Sequence, residues 1–392
     1  MAVPVNRKIS KEKEVFLAIC LLAGEISAEV VRQMKKDFGE VKDKNGIIQT
    51  LTADGYIKKI NRRTGYGYQL TPKGVEYFKS KCPNKYDYDN YSDSSAFKYN
   101  EGVRYRNLTM SSILYYLWKS GVTLTNNMET AYKILNFKEV SVETPFFIST
   151  KQMKKLHVRF QAVYGYRIYG WIFTRRAAWG VYFPDSLHPI YMSREKAVYT
   201  SMNTVFQYSK PPYCTPQNNR FLFLYKNEND YINSFNGYDG FDTPSKFTAN
   251  FYLEYRYKTI CTCLMTESNN LAYMLDDGYY YRINDVFEGS FELKKAQINS
   301  HFFRYRYTCE EDRTAIVWDL NPTVITETID LCHNSNYYDD YFLLLCFDES
   351  VDLLERLLKK HHVDRQVEIE HLPRQEVLDY IENSMNYKLG SS

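Results

Sequence analysis

The sequence predicts a mixed α/β protein in which a helix-rich N-terminal module with a β-hairpin precedes a mixed α/β domain with a partly parallel sheet. Apolar residues recur at helical spacing in three stretches before residue 55, and glycines with basic flanks then separate two short strands. Near the C-terminus, apolar strands alternate with helices, which is the pattern of parallel strands buried on both faces. The 392 residues suffice for two domains.

Three helices are expected at the start of the N-terminal module. Each contains apolar residues three and four positions apart and is bounded by a residue type that begins or ends helices. The first helix ends at Gly24, Ser27 caps the second, and Gly55 allows the chain to leave the third in a left-handed conformation. The expected helices cover residues 10–23, 28–38 and 43–53.

A β-hairpin and a fourth helix complete this module. The strands are expected over 56–60 and 68–71, and the glycine-containing segment 62–67 connects them. Thr71 then caps a fourth helix over 72–78, which has a proline in its first turn.

The rest of the chain divides into a linker and a second domain. Residues 82–107 are rich in Asp, Asn, Ser and Tyr without any period, so we expect a linker. The N-terminal module, residues 1–81, lies before it, and the mixed α/β domain, residues 108–392, lies after it. Helices in that domain are expected over 109–119, 129–135, 193–208, 322–331, 351–360 and 374–383, and strands over 315–320, 341–347 and 367–369.

Charge is distributed unevenly along the chain. The net charge is only +3, but residues 1–85 hold 17 Lys and Arg against 9 Asp and Glu, whereas the remainder holds 33 against 38. A basic module on a mildly acidic body concentrates the attraction for phosphate in one place. The 37 Tyr and 23 Phe residues fit half-buried strand positions, which we favour because they are spread along most of the chain, or a surface on which bases stack.

Cysteine usage and hydropathy indicate the compartment. The eight cysteines include no CxxC pair, and Cys20 and Cys346 lie in apolar runs, so we expect reduced thiols in the core rather than a disulfide framework or a zinc site. Residues 1–13 lack the apolar segment of a signal peptide, and no window reaches about 18 apolar residues. We therefore expect a cytoplasmic protein without a membrane partner.

Two signals in the N-terminal module are specific. One is the helix–helix–helix–hairpin order. The other is the phrase Leu-Thr-Ala-Asp-Gly-Tyr-Ile-Lys-Lys-Ile at 51–60, which is followed by Tyr-Gln-Leu-Thr-Pro-Lys-Gly at 68–74. Over residues 12–80 the chain thereby resembles winged helix-turn-helix transcription regulators, in which the third helix enters the major groove and the hairpin touches adjacent backbone or the minor groove. A minority of such domains bind proteins instead, and that alternative stays open.

The resemblance implies a set of DNA-contacting residues. Asn and Gln side chains can read adenine edges, whereas Lys and Arg neutralise phosphate. The implied contacts are Lys42, Lys44, Asn45, Gln49 and Thr50 from the third helix, and Arg62, Arg63 and Tyr66 from the hairpin.

Four short motifs are spread over the second domain. They are Gly-Tyr-Arg-Ile-Tyr-Gly at 165–170, Ala-Trp-Gly-Val-Tyr at 178–182, Ser-Arg-Glu-Lys at 193–196 and Leu-Cys-Phe-Asp-Glu at 345–349. Together with the N-terminal winged helix, they resemble the replication-relaxation proteins of conjugative plasmids and integrated elements, a family that includes some DNA relaxases. The resemblance implies that the second domain handles single-stranded or nicked DNA at an origin of transfer or replication.

A DNA-cutting reaction would need carboxylates that hold Mg²⁺ or Mn²⁺. The nearest set is Asp185, Glu195 and Lys196, but its spacing departs from the usual nuclease pattern, and Asp185 also fits a turn after a strand. A tyrosine nucleophile cannot be chosen among 37 candidates. Neither an HxH or HxxxH pair nor a nucleotide-binding P-loop occurs in the sequence. The residues therefore favour a binding protein over an enzyme.

Two later segments carry alternatives. Asp348 and Glu349 follow an apolar strand, where open α/β sheets place ligands, although we favour a cap for the helix at 351. Residues 301–307 alternate aromatic rings with arginines and form either an edge strand, which we favour, or a surface for single-stranded DNA.

The sequence as a whole predicts a sequence-specific double-stranded DNA-binding protein of a mobile genetic element, acting in plasmid or element replication or in conjugative transfer. Single-stranded DNA and a second copy of the chain are further candidate partners. Two alternatives stay open. One is a transcription regulator whose second domain senses a ligand or dimerises, and the other is a relaxase-like nicking enzyme that uses Mg²⁺ or Mn²⁺.

Overall fold

In the computed structural model, the chain is a mixed α/β protein whose contacts divide it into two compact units. The first unit comprises Met1–Tyr164, Ile168–Arg175 and Tyr208–Pro211, and the second comprises Gly165–Arg167, Arg176–Gln207 and Pro212–Ser392. The structure describes residues 9–38, 46–62, 65–91, 100–156, 167–184, 192–208, 219–235, 260–266, 270–275, 279–291, 294–295, 306–308, 314–317, 322–333 and 342–389. Within these ranges, no helix is both long enough and apolar enough to cross a membrane.

The first helix, α1 (Lys11–Ala23), has no exposed face from Val15 onward, because every later side chain in it is buried. Ser10 caps its first turn, and it ends at Gly24, whose φ of +84° favours a residue without a side chain. A helix of this kind needs cover on several sides. Part of that cover comes from a later helix, α5 (Glu101–Lys119), which packs along α1.

The structure describes residues 9–38, 46–62 and 65–81 of the N-terminal module, and its remaining elements keep the predicted order of helices and hairpin, with one additional strand before the second helix. Ser27 caps α2 through a 3.1 Å hydrogen bond from the Val30 amide, and Gly55, with φ of +71°, follows α3. The predicted helical residues 43–45 lie outside the described residues. The elements are β1 (Ile26–Ser27), α2 (Ala28–Asp37), α3 (Ile47–Ala53), β2 (Ile57–Arg62), β3 (Gly65–Leu70) and α4 (Pro72–Lys81).

The sheet of this module contains three strands rather than the two that the sequence predicted. Its order is β1-β3-β2, and both neighbouring pairs are antiparallel. The hairpin is also longer than predicted, because the β2–β3 ladder continues to the pair Arg62 and Gly65. Tyr66 therefore lies within a strand and not in a connecting segment. The sequence hid this because Gly65 and Gly67 are typical of turns, and because β1 has only two residues.

Residues 82–107, expected to form a linker, are partly helical and packed. The helix α5 begins at Glu101, where Asn100 caps it, and not at the predicted residue 109. Earlier in the segment, the ring of Tyr86 lies 5.0 Å from the ring of Phe78 in α4. Polar groups of the segment also have partners, because the Tyr86 hydroxyl donates to Glu14 at 2.7 Å and Asp87 forms a 3.1 Å ion pair with Lys155. The contacts place residues up to 164 in the first unit, which is accordingly larger than the expected module of 1–81.

Four further elements belong to the first unit. The strands β4 and β5 pair antiparallel, with Ile148 opposite Trp171, and both strands are fully buried. The helix α7 begins with a capping box formed by Ser149 and Gln152. The four elements are α6 (Met128–Leu135), β4 (Phe146–Ser149), α7 (Thr150–Lys155) and β5 (Gly170–Phe173).

Two sets of parallel strands characterise the second unit, and they confirm the predicted partly parallel sheet. In one set β7 pairs in parallel with both β6 and β8, and in the other β12 pairs in parallel with both β11 and β13. Every residue of β12 is buried, as expected of a strand covered on both faces. The strands are β6 (Ala178–Tyr182), β7 (Asn219–Tyr225), β8 (Ile260–Leu264), β9 (Lys294–Lys295), β10 (Arg306–Thr308), β11 (Thr314–Val317), β12 (Phe342–Phe347) and β13 (Val367–Leu372).

Helices alternate with most of these strands along the chain, whereas β9, β10 and β11 follow one another with no described helix between them. The predicted helices near the C-terminus are confirmed, and the last of them continues six residues beyond its predicted end at 383. The helices are α8 (Met192–Tyr208), α9 (Glu228–Asn233), α10 (Asn270–Met274), α11 (Tyr279–Ser290), α12 (Pro322–His333), α13 (Val351–Lys360) and α14 (Arg374–Leu389).

The described cysteines are core residues, as the sequence predicted. Cys20 and Cys346 are buried in α1 and β12, and the Cys20 thiol contacts the carbonyl oxygen of Tyr68 at 3.8 Å. Burial raises the pKa of the Cys332 thiol to about 12, so this thiol is not a nucleophile at neutral pH. The unbridged, buried thiols are Cys20, Cys82, Cys263, Cys332 and Cys346.

Candidate nucleic-acid interface

Residues of the two sequence motifs, 51–60 and 68–74, hold the base of the hairpin in place. The Thr71 hydroxyl donates to the Gly55 carbonyl at 2.7 Å and accepts from the Gly74 amide at 3.0 Å, so one side chain joins the start of β2 to the start of α4. A Cβ on Gly74 would lie 1.9 Å from the Tyr56 carbonyl oxygen, which explains why glycine stands there. These residues therefore set the direction in which the hairpin leaves the helices.

Aromatic stacking strengthens the same junction. The rings of Tyr56 and Tyr77 stack with centroids 4.1 Å apart and planes 12° from parallel. The Lys73 ammonium group donates to the Asp54 carbonyl at 2.8 Å and lies 5.3 Å from the Tyr56 ring. Lys73 is exposed, but its charge is already engaged at the C-terminal end of α3. It is thus part of the scaffold.

One face of the hairpin carries a set of side chains that we call the hairpin ridge, namely Lys59, Tyr66 and Tyr68. The Lys59 ammonium nitrogen lies 4.2 Å above the Tyr66 ring, and the ring of Tyr66 meets that of Tyr68 edge-on at 6.0 Å. Tyr68 in turn packs edge-on against Phe16 of α1 at 6.4 Å. Tyr66 is 42% exposed. The ridge therefore connects the core to an outward cation through consecutive ring contacts.

The ridge suits an anionic polymer. A lysine held over an aromatic ring has fewer conformations to lose when it binds phosphate, and the ring itself offers a stacking face. Burial, with Tyr66 nearby, raises the pKa of the Tyr68 hydroxyl, which stays protonated and neutral at physiological pH. Tyr66 was predicted from the sequence as a DNA contact and Lys59 was not, because only the register of the two strands brings the lysine over the ring.

The helix α3 presents a small polar surface. Leu51 is fully buried and anchors the helix, whereas Gln49 is exposed and Thr50 is half-buried. The hydroxyl of Thr52 donates to the Ile48 carbonyl of the same helix at 2.7 Å. Gln49 is the residue from the implied contact set that α3 places clearly in solvent. Its amide can donate and accept together, which is what adenine recognition requires.

The structure locates only part of the implied DNA-contact set. Gln49, Thr50 and Tyr66 are described above, and Arg62 ends β2 with its side chain outside the described residues. Lys42, Lys44, Asn45 and Arg63 also lie outside the described residues.

The candidate catalytic set is not brought together by any described geometry. Asp185 lies outside the described residues, and Glu195 and Lys196 belong to α8, where their side chains are not described. Among the described residues, no group of three or more His, Cys, Asp or Glu side chains is placed to hold a metal ion. Residues 301–305 of the aromatic and basic segment also lie outside, and Arg306 and Tyr307 belong to β10.

The carboxylates after β12 pair with basic residues. Asp348 Oδ1 lies 2.6 Å from His371 Nδ1, and Glu349 forms an ion pair with Arg374, whose guanidinium carbon lies 3.9 Å from the centre of the Phe347 ring. The favoured interpretation, a cap for the following helix, is wrong, because Ser350 stands at the N-cap position of α13. Both carboxylates instead tie the end of β12 to the end of β13 and the start of α14.

A buried polar network, which no sequence pattern predicted, lies beneath the hairpin. Glu25 follows the end of α1 and is 1% exposed, and Arg104 of α5 is 3% exposed. Their closest nitrogen–oxygen distance is 2.8 Å. The two residues are 79 positions apart, so no local pattern could indicate that they meet.

Comparison with known proteins adds no relative. The chain matches no protein-family model, and neither a curated protein nor a solved structure is significantly similar to it.

Proposed function

We propose that the N-terminal module is a winged helix that binds double-stranded DNA, with α3 in the major groove and the hairpin against the neighbouring backbone. The observation that carries the proposal is the hairpin ridge, an outward lysine held over an exposed ring at 4.2 Å, on a module of order α1-β1-α2-α3-β2-β3-α4. Three helices followed by a hairpin is the order on which the resemblance to winged-helix regulators rests.

The distribution of charge supports the same partner. Residues 1–85 carry a net charge of +8 in a chain whose remainder carries −5, so attraction for a polyanion acts chiefly on this part of the protein. Phosphate contacts from the ridge would fix the register of the module on the duplex, while Gln49 reads a base edge. In this division of roles, Lys59 contributes affinity and Gln49 contributes sequence preference.

The setting that we propose is the replication or conjugative transfer of a mobile genetic element. It rests on the resemblance of four motifs, spread over residues 165–349, to replication-relaxation proteins. Two of these motifs, Ala178–Tyr182 and residues 345–347 of the last one, are buried strand segments. The duplex site would then lie at an origin near the protein's own gene. Binding only at a promoter, with an affinity that a small molecule changes, would indicate a transcription regulator instead.

The test is a salt titration of duplex affinity by fluorescence anisotropy with the full chain. Wild-type affinity for a duplex selected from a random library should fall steeply as salt rises, because phosphate contacts release counterions. Lys59→Ala should weaken binding to all sequences and reduce the salt slope by about 1, whereas Gln49→Ala should relax preference at one base pair.

Lys79→Ala is the matched control, since Lys79 is an exposed lysine on α4, outside both α3 and the hairpin. It should leave the slope unchanged. The proposal is overturned if wild type binds no duplex, or if Lys59→Ala and Lys79→Ala have equal effects. Nicking of supercoiled DNA that depends on Mg²⁺ or Mn²⁺ would add an enzymatic role to the second unit.

A further inference from the structure

The buried network beneath the hairpin joins α5 to the sheet of the N-terminal module. Arg104 Nε donates to both carboxylate oxygens of Glu25, at 3.1 and 3.2 Å, and Nη2 donates to Glu25 Oε1 at 2.8 Å. The same Nη2 group donates to the Gly65 carbonyl oxygen at 3.0 Å. One guanidinium group thus holds a carboxylate and a strand backbone together.

Glu25 also reaches the middle of β3. Its second oxygen accepts a 3.4 Å hydrogen bond from the Gln69 amide, a residue that is 4% exposed. A Cβ on Gly67 would lie 2.4 Å from Glu25 Oε1, so the glycine leaves space for the carboxylate. The network therefore contacts β3 at alternate positions, Gly65, Gly67 and Gln69, which share one side of the strand.

A buried ion pair of this kind adds little net stability, but breaking it on one side is strongly destabilising. Removing two charges from water offsets most of their mutual attraction, whereas an alternative packing would leave one charge alone. The planar guanidinium group adds direction, since its donors point along fixed lines. The position of β3 relative to α5 is accordingly specified within narrow limits.

The contact with Gly65 has a particular consequence for the hairpin. Gly65 is the first residue of β3, pairs with Arg62, and directly precedes Tyr66 of the hairpin ridge. Arg104 thus holds the end of the hairpin that is remote from its base, where Thr71 holds the other end. Beyond the pair of Ser27 with Gly67, β1 no longer covers β3, so the outer part of the hairpin is two-stranded, and two strands alone are only marginally stable in water.

We propose that Arg104 is a positioning residue for DNA binding, which acts by holding the outer part of the hairpin at the angle that the duplex requires. This inference rests on the proposed function and extends it to a helix that lies outside the predicted winged helix. Contacts made by the hairpin with phosphates depend on Arg104, and contacts made by α3 do not.

The experiment compares two duplexes. The long duplex is one that wild type selects from a random library. Hydroxyl-radical footprinting of wild type and Lys59→Ala on this duplex identifies the base pairs that only wild type protects. The short duplex is the same sequence without those base pairs, so it lacks the contacts made by the hairpin. The variant is the pair Glu25→Gln with Arg104→Met, which removes both charges together and keeps similar volumes. Its affinity for the long duplex should fall roughly tenfold, as for the loss of one strong DNA contact, and its affinity for the short duplex should equal that of wild type.

Arg106→Met is the matched control. Arg106 lies two positions along α5, where it donates to the Ile168 carbonyl at 2.7 Å, away from the hairpin. It should leave both affinities unchanged. If the double variant does not fold, Arg104→Lys serves for the same comparison, because a lysine keeps a charge near Glu25 but lacks the fork that also reaches Gly65.

The outcomes separate the two proposals. A loss confined to the long duplex supports the positioning role, and faster hydrogen exchange of the β3 amides in the variant would accompany it. Equal losses on both duplexes, or no loss, overturn the positioning role while the proposed function stands. Failure of wild type to bind any duplex overturns the proposed function itself.

Discussion

Two of the arginine–carboxylate pairs among the described residues, one in each unit, differ in burial. Glu25 and Arg104 have side chains only 1% and 3% exposed, whereas Glu349 is 38% and its partner Arg374 10% exposed. Beside the second pair, Asp348 and His371 are about half exposed. Water can replace a lost partner in the second cluster but not in the first. The two pairs have the same residue types, so the difference in burial makes the Glu25–Arg104 pair the one whose loss should affect stability more.

The largest effect is expected from breaking the buried pair on one side. Arg104→Ala leaves the Glu25 carboxylate buried without its cation and should lower the free energy of unfolding of the first unit by about 3–5 kcal/mol. Urea denaturation of the full chain, followed by circular dichroism, measures the loss. Glu25→Gln combined with Arg104→Met should recover most of it. A loss below about 1 kcal/mol for the single variant would place this pair with the exposed one.

A smaller effect tests the space that the buried carboxylate occupies. Gly67→Ala puts a methyl group 2.4 Å from Glu25 Oε1 and 2.8 Å from the Ile26 carbonyl oxygen, and should lower the free energy of unfolding by about 1–3 kcal/mol. The control is Gly289→Ala in α11, where the described neighbours leave the added methyl group open space. That change should be neutral or stabilise by up to about 1 kcal/mol. Equal behaviour of the two variants would contradict a tightly packed network.

The exposed cluster should respond weakly. His371→Ala removes the partner of Asp348, and because both groups are about half exposed we expect a loss of at most about 1 kcal/mol in the free energy of unfolding of the second unit. Asp348→Asn should have a similar effect, measured by the same denaturation. A loss well above this value, close to that of Arg104→Ala, would show that exposure does not separate the clusters.

The smallest expected effect concerns acid sensitivity at a partly exposed carboxylate in the first unit. Burial alone would raise the pKa of Asp37, but the Tyr115 hydroxyl at 2.6 Å and the Lys119 ammonium group at 3.0 Å hold it below the usual 3.8. A carboxyl with a lowered folded-state pKa adds stability above its unfolded pKa, and this is lost as pH falls through the folded value.

The thermal midpoint of wild type should therefore fall more steeply than that of Asp37→Asn as the pH is lowered below about 4. Tyr115→Phe removes one of the two donors and should give an intermediate slope. Parallel curves for all three proteins would show that this carboxyl contributes no pH dependence.

Helices and strands could be predicted from the sequence, whereas most contacts between distant residues could not. Helices α1 and α2 and the parallel strand β12 lie within a residue or two of their predicted bounds, because caps and apolar periodicity are local. The predicted start of α5 was eight residues late, since the first two turns of that helix are polar in composition and Arg104, the one residue buried there, is buried against the distant Glu25. The ridge lysine Lys59 was missed for a related reason, because cross-strand neighbours follow from register.

The candidate interface shows the same difference between position and contact. Gln49 and Tyr66 were named from their positions on the third helix and the hairpin, and both are exposed where α3 and β3 carry them. The catalytic hypothesis for Asp185, Glu195 and Lys196 stays a sequence prediction, since their side chains lie outside the described residues. Asp348 was expected to cap a helix, but its nearest partner proved to be a histidine on the neighbouring strand.

The sequence by itself determined the mixed α/β class, the order of the helices and the hairpin in the N-terminal module, and the concentration of positive charge there. These follow from periods of a few residues and from counting, neither of which requires knowledge of distant contacts. Only the tertiary structure decided that α5 completes the first unit and that Arg104 meets Glu25 and Gly65 beneath the hairpin. A buried charge is stable only beside an opposite charge, and the partner of the buried Glu25 carboxylate, Arg104, comes from a distant part of the chain.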